Sequence, residues 1–185
     1  MPKFFSYLFF LMALMLTLNA GWMPFKAWLS EQLIAYSWRQ AQANNMQVKP
    51  WPWADTFAIA EMNFSRLDKS IVVLNGGDPT TLAFSAGAVA PYNQSLAQQP
   101  FVVAGHRDSH FSFLQEVTMH DIITLQNKLG QHQMYQVVSI DVVDANKGDL
   151  PISADEPNLV LITCYPFNQI SSNSNERYVI TAMPL

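Results

Sequence analysis

Hydrophobic and polar positions divide the chain into an apolar N-terminal stretch, a helical segment and a long region of short strands. From Phe4 to Ala20 only three side chains are polar, and no charge lies between Lys3 and Lys26. A helix rises about 1.5 Å per residue, so crossing ~30 Å of hydrocarbon takes about 20 residues. The pattern therefore predicts a membrane-spanning signal-anchor helix within residues 1–26.

A cleaved signal peptide is the alternative interpretation of this stretch. Its cleavage site would be Leu18-Asn19-Ala20, but Leu18 is large where small residues are preferred. The length of the apolar run favours an uncleaved anchor. Trp22 and Trp28 also suit the membrane interface, where amphipathic rings are common.

The next segment has the spacing of a helix. Trp28, Gln32, Tyr36 and Gln40 recur four residues apart, as do Leu29 and Leu33, and neither proline nor glycine interrupts the run before Asn44. Prolines then stiffen the path that leads to the folded domain. We predict a membrane-proximal stalk helix and linker over residues 27–50.

From residue 51 onward the pattern consists of short apolar runs separated by turn residues. The segment from 80 to 92 shows no regular pattern. About eight strands with almost no helix between them indicate an all-β barrel or sandwich over residues 51–185. Seven of these strands are placed at 56–62, 70–74, 101–105, 121–126, 134–143, 158–163 and 177–183.

Three of the predicted strands carry a chemically reactive side chain at one end. The only cysteine, Cys164, ends the run Asn158 to Thr163, and Pro166 stops the strand. His106 follows the run Phe101 to Gly105, and Arg177 opens the last strand. Strand ends hold side chains rigidly at the border of a cleft, so these three residues are candidates for one site.

Composition limits the possible partners and the redox chemistry. Thirteen of the fourteen acidic residues lie after Trp53, but only six of the ten basic ones do. The predicted barrel is therefore acidic, which argues against nucleic acid as a partner. A single cysteine excludes an internal disulfide and leaves one free thiol.

The three side chains match the needs of acyl transfer. Only a thiolate attacks a carbonyl carbon well, so Cys164 needs a base, and His106 is the candidate. Imidazolium would then protonate the leaving amine, and the Arg177 guanidinium would stabilise the oxyanion. Taken singly, each residue has a simpler explanation: a buried apolar thiol, a loop histidine and an arginine that extends from a strand end.

The order and spacing of these motifs resemble the sortases, a family of membrane-anchored cysteine transpeptidases. The resemblance rests on Gly105-His106-Arg107, on Thr163-Cys164 after an apolar strand, and on Arg177 thirteen residues later. The string from Gly105 to Leu114 is most similar to the proteobacterial sortase class. The usual signature has threonine where this chain has Val160, a conservative change on a buried strand.

The resemblance implies a fold and an activity. The fold would be an eight-stranded antiparallel or mixed β-barrel with short helices, preceded by the transmembrane and stalk helices. The enzyme would cleave a C-terminal sorting motif like Leu-Pro-X-Thr-Gly on a substrate protein, form a thioacyl intermediate on Cys164, and pass the acyl group to an amine or to water. Thr163 would line the substrate groove, and the loop from Asp144 to Pro157 would form one wall.

The resemblance also implies a location, with the helix in the inner membrane and the catalytic domain in the periplasm. No cofactor is expected. A metal site is not expected either, because His106 and His110 are four residues apart but lack a convincing third ligand. Two other functions stay open. One is a different membrane-tethered cysteine protease or acyl-transferase, and the other is a non-catalytic periplasmic binding barrel.

Overall fold

The structure, a computed structural model, describes residues 2–94, 99–148, 150, 152–168 and 174–185. It begins with one uninterrupted helix, α1 (Pro2–Asn44), which contains both predicted helical segments. Pro24 lies inside this helix without ending it. The transmembrane and stalk helices expected from the sequence are therefore consecutive parts of a single helix.

Eight strands and short helical turns follow α1. A four-residue helix, α2 (Pro79–Leu82), begins after Asp78, whose side chain accepts hydrogen bonds from the backbone N–H groups of Thr80 and Thr81. Short 3-10 helices cover Ser65–Leu67, Ser112–Glu116 and Ala145–Lys147. The strands are β1 (Ala58–Phe64), β2 (Lys69–Asn75), β3 (Ala86–Ala88), β4 (Phe101–Ala104), β5 (Ile122–Asn127), β6 (His132–Asp144), β7 (Leu159–Cys164) and β8 (Glu176–Pro184).

The strands form a closed barrel in the order β1-β2-β3-β4-β7-β8-β6-β5. The pairs β2/β3 and β4/β7 are parallel, and all the other pairs are antiparallel. The predicted all-β mixed barrel is confirmed. One strand, β3, lies in the segment that showed no pattern, because Ala86-Gly87-Ala88 has none of the β-branched or aromatic residues typical of strands.

Side chains alternate between the barrel interior and its outer face. Phe101, Val103, Leu159 and Leu161 belong to the main core, together with Ile180 from β8. Their neighbours on the opposite face form a second, smaller cluster centred on Val102, Val160 and Val179. Since alternate residues share a face, the outer face of β4, β7 and β8 includes the position of Cys164.

The C-terminal part of α1 packs directly on the barrel. Ile34 and Trp38 are buried against Ala58 and Leu74. The Trp38 indole Nε1 donates a 2.9 Å hydrogen bond to Glu61 of β1. Residues 3–29 of the same helix are exposed along their whole length, and this is the part long and apolar enough to cross a membrane.

Candidate active site

Cys164 is the last residue of β7, the strand that lies between β4 and β8. Leu159 and Leu161 point into the core and are fully buried, whereas Cys164, on the other face at the strand end, is partly exposed. The core therefore fixes the backbone of this strand, and the free thiol is left at the surface of the barrel.

Arg177 is the direct cross-strand partner of Cys164 in the β7/β8 pair. The next pair along, Tyr165 and Glu176, is hydrogen-bonded, because the Tyr165 N–H donates to the Glu176 carbonyl at 3.1 Å. Along an antiparallel ladder, opposite residues alternate between hydrogen-bonded and non-hydrogen-bonded pairs. Cys164 and Arg177 therefore form a non-hydrogen-bonded pair. Such pairs bring the two side chains closest together, with Cβ atoms about 4.5–5.5 Å apart on one face.

The Arg177 guanidinium is held by the backbone next to it. Its Nη1 donates to the carbonyls of Ser174 and Glu176, at 2.8 and 2.9 Å. Both bonds use the same nitrogen, so within the described residues Nε and Nη2 have no hydrogen-bond acceptor in the structure. A guanidinium has five N–H donors, which leaves several of them for another oxygen.

His106 comes two residues after β4, which runs parallel to β7. The last register pair is Ala104 with Ile162, and the Gly105 N–H continues it by donating to the Ile162 carbonyl at 3.1 Å. His106 thus lies at the level of Cys164. The Phe111 N–H donates to the His106 carbonyl at 2.9 Å and closes the turn, while the imidazole is exposed.

Thr163 joins the end of β7 to the end of β4. Its side chain is only 2% exposed, and its hydroxyl donates a 2.7 Å hydrogen bond to the Gly105 carbonyl. This bond locks the backbone next to both Cys164 and His106. The substrate-binding role expected for Thr163 stays a prediction, and the structure adds a positioning role.

The other polar residues of the 106–110 turn differ in their surroundings. Asp108 is exposed, whereas His110 is half-buried. Burial lowers the pKa of His110, the backbone of Ala83 and the carboxylate of Glu31 oppose that shift, and His106 adds to it. The sequence marked His110 only as a neighbour of His106, and its place in a cleft that Glu31 of the N-terminal helix also lines was not foreseen.

Comparison with known proteins identifies the family of the barrel domain. A family model, the Sortase domain, matches residues 62–185, which include all eight strands except the first part of β1. The chain belongs to the sortase family. The more specific resemblance to the proteobacterial class stays a prediction.

Individual sortases show how far the similarity extends. Sortase D from Bacillus subtilis (strain 168) is 24% identical over 120 residues, and the match covers 64% of this chain but only 60% of that protein. Sortase A from Corynebacterium diphtheriae superposes with a TM-score of 0.62 at 23% identity, covering 72% of this chain and 63% of that one. A Clostridium perfringens Sortase D5 transpeptidase reaches a TM-score of 0.66 at 15% identity, covering 85% and 98%. At these identities the structural matches support the fold.

The outer face next to the thiol of this sortase domain is apolar. Ala104 and Ile162 are partly exposed beside Cys164, whereas Val160, further along β7, is covered. Tyr92 and Ile152 contribute to that cover. Ile152 belongs to the loop expected to form one groove wall, although Asp149 and Pro151 of that loop lie outside the described residues.

An aromatic cluster that the sequence interpretation missed supports the same strand ends. Tyr165 stacks on Tyr178 with ring centroids 6.1 Å apart, and Phe167 meets Tyr178 edge-on at 5.1 Å. Tyr178 is the neighbour of Arg177 and the register partner of Thr163. The string Tyr165-Pro166-Phe167 directly after the cysteine is the signal that could have revealed it. The cluster stiffens the turn on which the thiol is placed.

Proposed function

We propose that this chain is a membrane-anchored cysteine transpeptidase that cleaves a sorting motif like Leu-Pro-X-Thr-Gly and transfers the acyl part to an amine or to water. The observation that carries the proposal is the alignment of His106, Cys164 and Arg177. Cys164 and Arg177 face each other on the outer face of β7 and β8, and His106, two residues after β4, lies at the same level with an exposed imidazole. A thiol between an imidazole and a guanidinium is the arrangement that acyl transfer to cysteine needs.

The first half of the reaction forms a thioester. The Cys164 thiol gives its proton to the His106 imidazole, and the sulfur attacks the carbonyl carbon of the motif threonine. The oxyanion that develops on the carbonyl oxygen accepts hydrogen bonds from the Arg177 guanidinium, whose Nε and Nη2 remain free among the described residues. The C–N bond then breaks, and His106 returns its proton to the leaving amine.

The second half reverses these steps with a new nucleophile. An amine attacks the thioester carbonyl, the C–S bond breaks, and the sulfur leaves as thiolate. His106 takes the proton that the amine loses and the thiol is restored. Water in place of the amine gives hydrolysis and releases the substrate protein.

The apolar surface beside Cys164 suits the side chains of a sorting motif. Ala104 and Ile162 offer a partly exposed apolar floor on the approach to the thiol, which fits leucine and proline better than charged residues. The exposed apolar part of α1 supports anchoring in a membrane. We place the barrel on the periplasmic side of the inner membrane, and the substrate is a protein with a C-terminal sorting signal.

Mass spectrometry of the full chain with a library of sorting-motif peptides tests the proposal. We expect a covalent adduct on Cys164 whose mass equals the peptide up to and including the motif threonine. Cys164→Ala and His106→Ala should lower turnover by about a thousandfold or more. His132→Ala, at an exposed histidine of β6, serves as the matched control and should keep turnover. Unchanged cleavage by Cys164→Ala would rule out the proposed nucleophile.

A further inference from the structure

The docked part of helix α1 begins close to the expected membrane surface. Trp28 has the chemistry of an interfacial anchor, and Ile34 is the first fully buried residue of the helix. At 1.5 Å per residue the two positions are separated by about 9 Å along the helix axis. Neither glycine nor proline lies between them, so the helix itself, rather than a flexible linker, connects the membrane to the barrel.

The buried positions of α1 form one stripe along the helix. Ile34, Ser37, Trp38 and Ala41 are at most 3% exposed, and their spacing of three and four residues puts them on one face. The hydrogen bond from Trp38 to Glu61 of β1 adds a directional contact to this stripe. Two successive helical turns are held in this way, so the helix is prevented from tilting as well as from sliding along the barrel.

The turn that carries His106 lies at the membrane-facing end of this contact. Glu31 and Ala35 of α1 line the same cleft as Ser109 and His110, which follow His106 in its turn. These two positions of α1 are about 4.5 and 10.5 Å beyond the interfacial tryptophan along the helix axis. The proposed catalytic histidine is therefore held near the membrane surface, within about 15 Å of the level of that tryptophan.

A substrate anchored in the same membrane must reach this fixed site with the segment that follows its motif. A substrate helix that packs beside the membrane part of α1 lies about 8–10 Å from its axis, so the path to the site is roughly 10–25 Å long. An extended chain spans at most about 3.3–3.6 Å per residue, and about three to eight residues bridge this distance. A much longer segment dilutes the motif, because the effective concentration falls with about the −3/2 power of the length.

We propose that the docked helix α1 is a rigid support that fixes the height of the active site, and that the enzyme thereby selects substrate proteins whose sorting motif lies about three to eight residues from their own membrane-spanning segment. The inference rests on the proposed function, to which it adds a length requirement. The contacts that set this length are the buried stripe of α1 and its hydrogen bond to β1, and they lie outside the proposed catalytic residues.

A series of membrane-bound substrates tests the inference. The full chain is reconstituted in phosphatidylcholine vesicles with reporter proteins, in which glycine-serine spacers of about 2, 5, 8, 11 and 20 residues join the sorting motif to a transmembrane helix. Mass spectrometry measures the cleavage of each reporter, and a soluble motif peptide measures turnover that does not depend on the membrane. We expect the fastest cleavage with spacers of about three to eight residues and a roughly fivefold lower rate at about 20 residues.

Two insertions of equal length distinguish a rigid support from a simple tether. Polar helix-forming residues inserted between Trp28 and Leu29 over about two turns, or seven residues, raise the barrel by about 10 Å and rotate it by only about 20°. The best spacer should then be longer by about three residues. The same insertion between Met46 and Gln47, two exposed residues after the buried stripe, leaves the helix docked and should not change the best spacer.

A third variant tests the rigidity of the connection. A glycine-serine segment of the same length between Trp28 and Leu29 replaces a rigid connection with a flexible one. The barrel can then take many heights above the membrane, so the dependence of cleavage on spacer length should become flatter. Turnover of the soluble peptide should stay within about twofold of wild type in all three variants, because the inserted residues lie away from the proposed catalytic residues.

The possible outcomes separate this inference from the function on which it rests. A wild-type chain that cleaves neither the soluble peptide nor any reporter would overturn the proposed function itself. Cleavage of the soluble peptide without a preferred spacer among the reporters would overturn only the length requirement. Equal shifts from the two helix-forming insertions would overturn the docked support, since α1 would then act as a tether. Loss of soluble-peptide turnover after insertion at Trp28 would also overturn it, because α1 would then support the chemistry and not the height.

Discussion

Cys164 and Arg177 face each other directly across β7 and β8 as a non-hydrogen-bonded pair. Their separation is fixed by the backbone ladder, and no loop has to move to bring them together. The thirteen-residue interval between them in the sequence corresponds to a strand-to-strand connection. An oxyanion that forms next to the sulfur therefore develops within the reach of a preorganised donor, which is the condition for a large electrostatic contribution to catalysis.

The first prediction concerns the shape of this donor. Arg177→Lys keeps the positive charge but loses the planar fork of N–H groups. We expect the rate of acyl-enzyme formation to fall about a hundredfold, as for the loss of an oxyanion donor. Rapid-quench mass spectrometry measures that rate. Arg39→Lys, at an exposed position of α1, is the matched control. A rate within about twofold of wild type for Arg177→Lys would show that the guanidinium geometry does not matter.

A second prediction concerns the hydroxyl of Thr163. Thr163→Val conserves the shape of the side chain but leaves the Gly105 carbonyl without its 2.7 Å hydrogen bond. An unsatisfied buried carbonyl costs about 1–3 kcal/mol in the free energy of unfolding. Because the bond joins the strand ends that carry Cys164 and His106, kcat should fall as well.

Chemical denaturation and steady-state kinetics check this second prediction. Thr163→Ser retains the hydroxyl and should recover most of kcat, even though it loses a methyl group. A merely structural role would lower the stability of Thr163→Val without changing kcat, and a groove-lining role would raise KM alone.

A third prediction concerns the close approach of Gly105 and Phe111. A Cβ atom on Gly105 would lie 2.7 Å from the Phe111 ring, which is fully buried. Gly105→Ala should therefore destabilise the fold by about 1–3 kcal/mol and displace the neighbouring His106. Thermal unfolding and turnover measure the two effects.

A second substitution separates this contact from a general effect of alanine. Phe111→Leu makes room next to residue 105, so the double variant should be less destabilised than the sum of the two single variants. Gly21→Ala, inside α1 where nothing lies within 4 Å, is the control and should not destabilise the protein. Additive losses in the double variant would show that the ring contact is not the cause.

The sequence predicted those parts of the site that depend on local patterns. Apolar runs ending in Cys164 or followed by His106 predicted strands β7 and β4, and the ordered motifs indicated the family. The parallel pairing of β4 with β7 was not predictable in this way, because it joins segments more than fifty residues apart. That pairing, and not the spacing along the chain, brings His106 to the level of Cys164.

Other features were missed because their signals were weak or non-local. The Ala-Gly-Ala strand β3 is held by its neighbours and has no pattern of its own. The stalk was expected to be a spacer, yet Ile34 and Trp38 dock it on β1 and β2. Amphipathic spacing showed that this part of the helix has an apolar side, but it did not show what covers that side.

A fourth prediction concerns the docking of α1. Trp38→Phe keeps an aromatic ring but loses the 2.9 Å hydrogen bond to Glu61, which still accepts a bond from the Ser70 hydroxyl. We expect the free energy of unfolding to fall by about 1–3 kcal/mol in detergent-solubilised full chain. Trp53→Phe is the matched control, because Trp53 is 79% exposed. Equal effects of the two substitutions would contradict the tight seating of the helix.

The last prediction concerns acid sensitivity and the pair formed by Arg66 and Asp121. The Arg66 guanidinium donates two hydrogen bonds to the Asp121 carboxylate, at 2.6 and 2.8 Å, and thereby lowers the pKa of that carboxyl below its usual value. Because the pKa is lowered in the folded state, the ionised pair stabilises the fold at pH values above the unfolded pKa, near 3.9. This contribution disappears as the pH falls through the folded pKa.

Asp121→Asn should lower Tm by only a few degrees at pH 7, since Arg66 is half exposed and solvent screens the pair. The difference from wild type should shrink steadily below about pH 4. Thermal unfolding at several pH values measures it, with Asp55→Asn as an exposed control. A Tm difference that stayed constant across this range would mean that Asp121 acts through its shape and hydrogen bonds alone.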